Sequence, residues 1–145
     1  MSTTSLPLVA ITMGDAAGTG PEIITKSLAL PELRALCRPV VIGDAAAMTR
    51  ALRFTGVALK VCAIRDVAEA ASAADEIDVL DLANLDLATL KLGQVDPQAG
   101  HAACEAASSQ PPAEGNVGAG AGALFAIMVG LPTLGIDGLA FAGAL

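Results

Sequence analysis

The stretch VAITMGDAAGTGPEIITKSL, Val9 to Leu28, limits what this chain can fold into more than any other. The apolar, β-rich run Leu8 to Thr12 stops at a glycine, which suits a strand buried on both faces of a parallel sheet. A loop carrying Gly14, Gly18 and Gly20 follows, and Pro21 fits the first helical position, where its missing N–H costs nothing. Glu22 complements the positive end of the helix dipole, Ile24 and Leu28 recur at i and i+4, and Glu22 with Lys26 forms an exposed pair on the other side. Strand, glycine loop and helix in this order form the unit with which α/β proteins hold anions and nucleotides.

The unit repeats with shorter punctuation. Pro39 to Asp44 reads as a second strand, Ala45 to Phe54 as a helix closed by Gly56, and Val57 to Ile64 as a third strand. Asp66 to Ala73 reads as a short Ala-rich helix, Ile77 to Leu82 as a fourth strand, and Pro97 to about Ala107 as a last helix. Strands alternating with helices at this spacing predict an α/β fold, a largely parallel sheet with flanking helices.

Several functions are excluded by what surrounds this pattern. A formal charge of -7, with eight Lys and Arg placed singly, leaves no basic patch for phosphate backbones, so nucleic acid is not an expected partner. Cys37, Cys62 and Cys104 are odd in number and widely spaced, and with one histidine they indicate neither a disulfide framework nor a zinc site. They read as reduced thiols of a cytoplasmic protein. Aromatic residues are confined to Phe54, Phe125 and Phe141, so the core must be built from Ala, Leu, Val and Ile and gains less burial per residue.

After Gln110 the character changes. Residues 1–110 read as an amino-terminal α/β lobe, and 111–145 as a Gly/Ala-rich tail without Lys or Arg, charged only at Glu114 and Asp137. The uncharged run from Gly115 to Ile136 has the length of a bilayer span, which takes ~20 apolar residues. Its many glycines, Pro132 and the lack of flanking basic residues argue against a membrane span. The tail is expected to be a frame-shifted or truncated ending, or a new ending on a retained lobe.

The glycine loop has two readings on its chemistry alone. Its G-x-x-x-G-x-G spacing is not the dinucleotide fingerprint, and no Lys follows Gly20 as a phosphate-binding P-loop requires. One reading is a tight turn whose glycines allow φ > 0; the other is a ligand loop formed by Gly14, Asp15, Gly18, Gly20, Pro21 and Glu22. Asp15 and Glu22 read either as a carboxylate pair for acid–base or metal chemistry or as a turn-forming Asp and a first-turn Glu.

Met13, Gly14, Asp15, Ala17, Gly18, Gly20, Pro21, Glu22 and Ile23 match in order the signature M-G-D-P-A-G-I-G-P-E-I, with Ala16 and Thr19 in place of Pro and Ile. With Val40 to Asp44, Leu92 to Val95, Gly100 and Ala103, the chain resembles the 4-hydroxythreonine-4-phosphate dehydrogenase family over roughly residues 6 to 107. The resemblance implies the first part of a fold like that of isocitrate and isopropylmalate dehydrogenases, in a homodimeric two-domain subunit. It also implies NAD-dependent oxidation of a phosphorylated hydroxy amino acid, aided by zinc, magnesium or cobalt, then decarboxylation toward pyridoxal phosphate. Sister branches act on the phosphorylated sugar acids threonate or erythronate 4-phosphate. The Gly14 to Glu22 loop would then line the cleft beside cofactor or substrate.

The family's metal-binding histidines and its T-x-P-x-x-K and G-H-T-E motifs are absent from this sequence, and His101 matches none of those ligands. The resemblance therefore implies a chain without its own metal site and inactive by itself. A non-catalytic anion- or nucleotide-binding lobe, or an interaction fragment, is the alternative.

Overall fold

The computed structural model describes residues 6–109. They form one sheet of four parallel strands in the order β1-β2-β4-β3: β1 Leu8–Thr12, β2 Arg38–Gly43, β3 Lys60–Ile64 and β4 Glu76–Asp81. Four α-helices accompany it: α1 Gly20–Leu28, α2 Pro31–Leu36, α3 Ala45–Thr55 and α4 Pro97–Ser108. The α/β class and the parallel sheet with flanking helices expected from the alternation are what the chain adopts.

The sheet's two faces follow from register. Val41, Ile77, Val79 and Val61 turn to the layer of α1 and α3, which pack on each other through Ile24, Leu28, Met48 and Leu52. Val40, Cys62, Ile64 and Leu80 turn the other way, where Ala70 and Val67 lie over part of the face. Helix α4 packs on β1 and β2, its small residues Ala99, Ala102 and Ala106 buried. No described aromatic enters the core, since Phe54 is 59 % exposed.

The structure departs from the sequence reading in several places. β1 is an edge strand among the described residues and is only half-buried, since β2 pairs with it along one edge alone. Helix α1 starts at Gly20, one residue before Pro21, with Thr19 as its N-cap residue. Glu22 and Lys26 form no ion pair; the salt bridge found among the described residues joins Lys60 to Asp75 at 3.5 Å.

The third strand begins at Lys60 rather than Val57. The helix expected from Asp66 to Ala73 is a single 3-10 turn, Val67–Glu69. There, Arg38 donates to the Ala70 carbonyl at 2.8 Å and Arg34 to that of Ala73 at 2.8 Å, so carbonyls that would close helical turns are held by distant side chains. Ser72 takes a left-handed φ of 53° and gives its N–H to buried Asp78 at 2.7 Å. Long-range hydrogen bonding overrides the local alanine preference.

Helix α2 has no counterpart in the sequence reading. Its start, Pro31-Glu32, repeats the Pro21-Glu22 pattern that marked α1 and could have revealed it. Its Arg34 bridges the carbonyls of Leu28, Ala73 and Glu76 at 2.6, 2.8 and 2.7 Å, tying the helix to both sheet connections.

Candidate functional site

The chain leaves β1 at its carboxyl end, the end at which open α/β sheets place their ligands, and crosses to α1 through residues 13–19. Met13 is 1 % exposed and donates its N–H to Ile42 at 2.9 Å, which anchors the loop's first residue to β2. Gly43 must be glycine for this: a Cβ there would stand 2.6 Å from the Cβ of Met13. Gly14 has φ 72°, a left-handed conformation that favours glycine.

Asp15 then builds the turn. Its Oδ1 accepts from the N–H of Ala17 at 2.8 Å and its carbonyl from Gly18 at 3.1 Å. Ala16 and Ala17 are buried beneath it, and the loop is held from both sides: Arg50 of α3 donates to the Ala16 carbonyl at 3.3 Å, and Gly93 donates to that of Ala17 at 2.7 Å. The segment Leu92 to Val95, far away in sequence, thus lies against the glycine loop. Both belong to the residues that carry the family resemblance.

Gly18 and Gly20 do not share the left-handed backbone of Gly14, so the expectation that all three glycines serve φ > 0 holds only for the first. A Cβ on Gly18 would meet Asp15 at an ordinary 3.5 Å. Neither conformation nor crowding within the lobe demands glycine at 18, which leaves a backbone open to close approach from outside.

The starts of the longer helices differ. Asp44 caps α3 by accepting from Ala47 at 2.9 Å, and Asp81 accepts from Ala45 at 2.9 Å; Asp96 caps α4 by accepting from Gln98 at 2.8 Å. Helix α1 has no side-chain cap hydrogen bond. Pro21 and Glu22 of its first turn border a shallow depression with Ala16, Gly18, Arg50, Phe54 and Leu92. Asp15 is the turn-forming residue and Glu22 the first-turn residue of the milder sequence reading, and no hydrogen bond joins them.

Other candidate chemistry is sparse. Among the described residues no group of three or more His, Cys, Asp or Glu is placed to hold a metal ion. The three cysteines are free. Burial pushes the Cys37 thiol up, and burial, with Glu76, Asp78 and Glu69 nearby, does the same for Cys62, so neither is an activated nucleophile. His101 is exposed on α4. No helix among the described residues is long and apolar enough to cross a membrane; the tail 111–145, including the 115–136 run, lies outside them.

Sequence and fold agree with one set of known proteins. D-threonate 4-phosphate dehydrogenase of Cupriavidus necator is 47 % identical over 98 residues, 68 % of this chain and 29 % of the relative. A Symbiobacterium thermophilum protein provisionally assigned the same activity is 50 % identical over 97 residues, 67 % of this chain and 29 % of its own length. The crystal structure of a 4-hydroxythreonine-4-phosphate dehydrogenase from Burkholderia phymatum superposes with a TM-score of 0.69 at 42 % identity, covering 72 % of this chain and 31 % of that one. Over about 70 % of its length the chain matches part of the 4-hydroxythreonine-4-phosphate and D-threonate 4-phosphate dehydrogenases. No protein-family model matches it. The chain spans about 30 % of the length of these dehydrogenases, so it corresponds to one part of a family subunit.

Proposed function

We propose that residues 1–110 are the first lobe of a dehydrogenase that oxidises a 4-phosphorylated hydroxy acid with NAD, and that the chain by itself is inactive. Its sequence identity with dehydrogenases of two closely related substrates carries this reading. Of the two, D-threonate 4-phosphate is favoured by the names of the curated relatives. Oxidation and decarboxylation of 4-hydroxythreonine 4-phosphate, toward pyridoxal phosphate, is the second reading, supported by the likeness to crystal structures of 4-hydroxythreonine-4-phosphate dehydrogenases.

The lobe's own contribution is a wall of the cleft. Gly14, Asp15, Gly18, Gly20, Pro21 and Glu22 would lie against cofactor or substrate, with the Gly18 backbone open to approach and the start of α1 without a carboxylate cap. NAD, when bound, accepts the hydride from the substrate's carbinol carbon. The described residues do not fit the divalent metal of such a reaction, so zinc, magnesium or cobalt would need ligands from elsewhere in a complete enzyme. A cytoplasmic homodimer is the form this reading implies for that enzyme.

The test is a hybrid in which residues 6–109 replace the aligned segment of the Cupriavidus necator dehydrogenase. Retained oxidation of D-threonate 4-phosphate is expected; a folded hybrid without activity on either substrate would overturn the reading. The chain alone, given NAD, substrate and each metal in turn, should form no NADH above a blank containing the His101→Ala variant.

A further inference from the structure

Helix α3 has two flanks with different neighbours. At helical spacing, Ala47, Arg50, Ala51 and Phe54 line the depression beside Pro21 and Glu22 of α1. Thr49, Leu52 and Arg53 stand on the other flank, over β3, which is the last strand on that side of the sheet among the described residues. There α3 and the sheet edge enclose an open groove of about 410 Å³. Leu52, with Val57 and Leu59 of the α3–β3 connection and Val61 of β3, gives it an apolar lining. Sites for small organic molecules take ~300–1,000 Å³ and combine such a lining with a few polar groups.

The charge of the groove runs against that of the chain. Asp and Glu number 15 and Lys and Arg eight, yet Arg53 and Lys60 line the groove and no acidic residue does. Lys60 is shared with Asp75 at 3.5 Å, in a pair whose side chains are 75 % and 64 % exposed and which therefore contributes little. That is the ion pair found among the described residues, so Arg53 has no carboxylate partner there. Arg53 stands in the last turn of α3, where the helix dipole favours a cation, and its guanidinium carries a planar fork of donors.

The strand adds a second donor. The Lys60 amide bonds toward β4, to the Asp75 carbonyl at 2.9 Å, and among the described residues β3 pairs with β4 alone. By alternation the Val61 amide points away from β4, along the free edge, while the Val61 side chain belongs to the apolar lining. Thr49 adds no donor, because its hydroxyl is given to the Ala45 carbonyl at 2.8 Å. One unpaired guanidinium and one free amide beside an apolar trough match a single negative charge on an apolar body.

We propose that the groove between α3 and β3 binds a small amphipathic carboxylate, a free aliphatic monocarboxylic acid. Its carboxylate takes the Arg53 fork, which suits two parallel hydrogen bonds, and the Val61 amide. Its hydrocarbon chain covers Leu52, Val57 and Leu59. A free acid is favoured over the end of a peptide, because a peptide strand would have to pair along β3, which Lys60 and Arg65 flank. The site is separate from the glycine loop, and the inference does not rest on the reaction proposed above.

The test is an NMR titration of the isotopically labelled 145-residue chain with octanoate. Acetate and octan-1-ol serve as probes that carry only the charge or only the chain. Octanoate should shift the amides of Arg53, Val57, Leu59 and Val61 together and to saturation, and each control probe should bind at least tenfold more weakly. Arg53→Gln should weaken octanoate binding at least fivefold, and Arg65→Gln, beyond the groove, should leave it unchanged. No saturable shift at these amides, equal binding of octan-1-ol or acetate, wild-type affinity in Arg53→Gln, or shifts confined to Gly18 and Gly20 would overturn the proposal. If Arg53→Gln fails to fold, the salt dependence of the wild-type chain decides. Octanoate affinity should fall as salt screens the guanidinium, and an affinity indifferent to salt would overturn the assignment.

Discussion

Two neighbouring strands, β1 and β2, hand the chain to two helices that pack on each other, yet their turns are built in opposite ways. After β2 the turn is short and closed: Gly43 leads to Asp44, which is 3 % exposed and accepts from Ala47 and Leu85, while Asp81 accepts from Ala45. Two carboxylates of the protein stand where an anion would sit at α3. After β1 the turn takes residues 13–19, its carboxylate is folded back into the turn itself, and α1 begins without a side-chain cap. One helix start is a structural joint; the other has no side-chain acceptor at its first turn.

The largest effect that would test this contrast is expected at Gly43. Its Ala variant must displace the Cβ of Met13, whose position is fixed by the backbone bond to Ile42, and should lose about 1–3 kcal/mol in denaturant unfolding. A loss within error would show that the joint is not tightly packed.

Asp44→Ala removes the α3 cap and a buried acceptor for Leu85, with an expected loss of about 1–2 kcal/mol. Asp15→Ala, on an exposed residue, should lose about 0.5–1 kcal/mol. Equal losses at the two aspartates would erase the distinction between joint and loop. The smallest change in stability is expected at Gly18. The added methyl of Gly18→Ala meets only ordinary contact, and its unfolding free energy should stay within about 0.5 kcal/mol of the parent. The same substitution in the active hybrid should raise KM for NAD or substrate, which separates a ligand loop from a mere turn.

Where elements are set by local periodicity, the sequence was a sufficient guide. Leu8 to Thr12, the Ile24 and Leu28 repeat, and Gly56 closing α3 with φ 66° stand where pattern and capping put them. It failed where distant groups decide. Arg34 and Arg38 reach across the fold to carbonyls of residues 70–76 and prevent the Ala-rich helix, and nothing near Ala70 in sequence announces them. The loop was legible as a candidate site from its glycines and family-like order. Its contact with Gly93 was not, because a hydrogen bond across 76 positions leaves no local trace. The edge position of β1 was hidden for a related reason: an apolar run looks the same with one neighbouring strand or with two.

The most direct measurement is an NMR titration of the isotopically labelled 145-residue chain with NAD, following backbone amides at both helix starts. Displacement of Gly18, Thr19 and Gly20 is expected, with Ala45 and Ala47 unmoved behind their carboxylates. Shifts confined to Ala45 and Ala47, or none at either start with NAD in large excess, would contradict the assignment of the glycine loop as the ligand-facing turn.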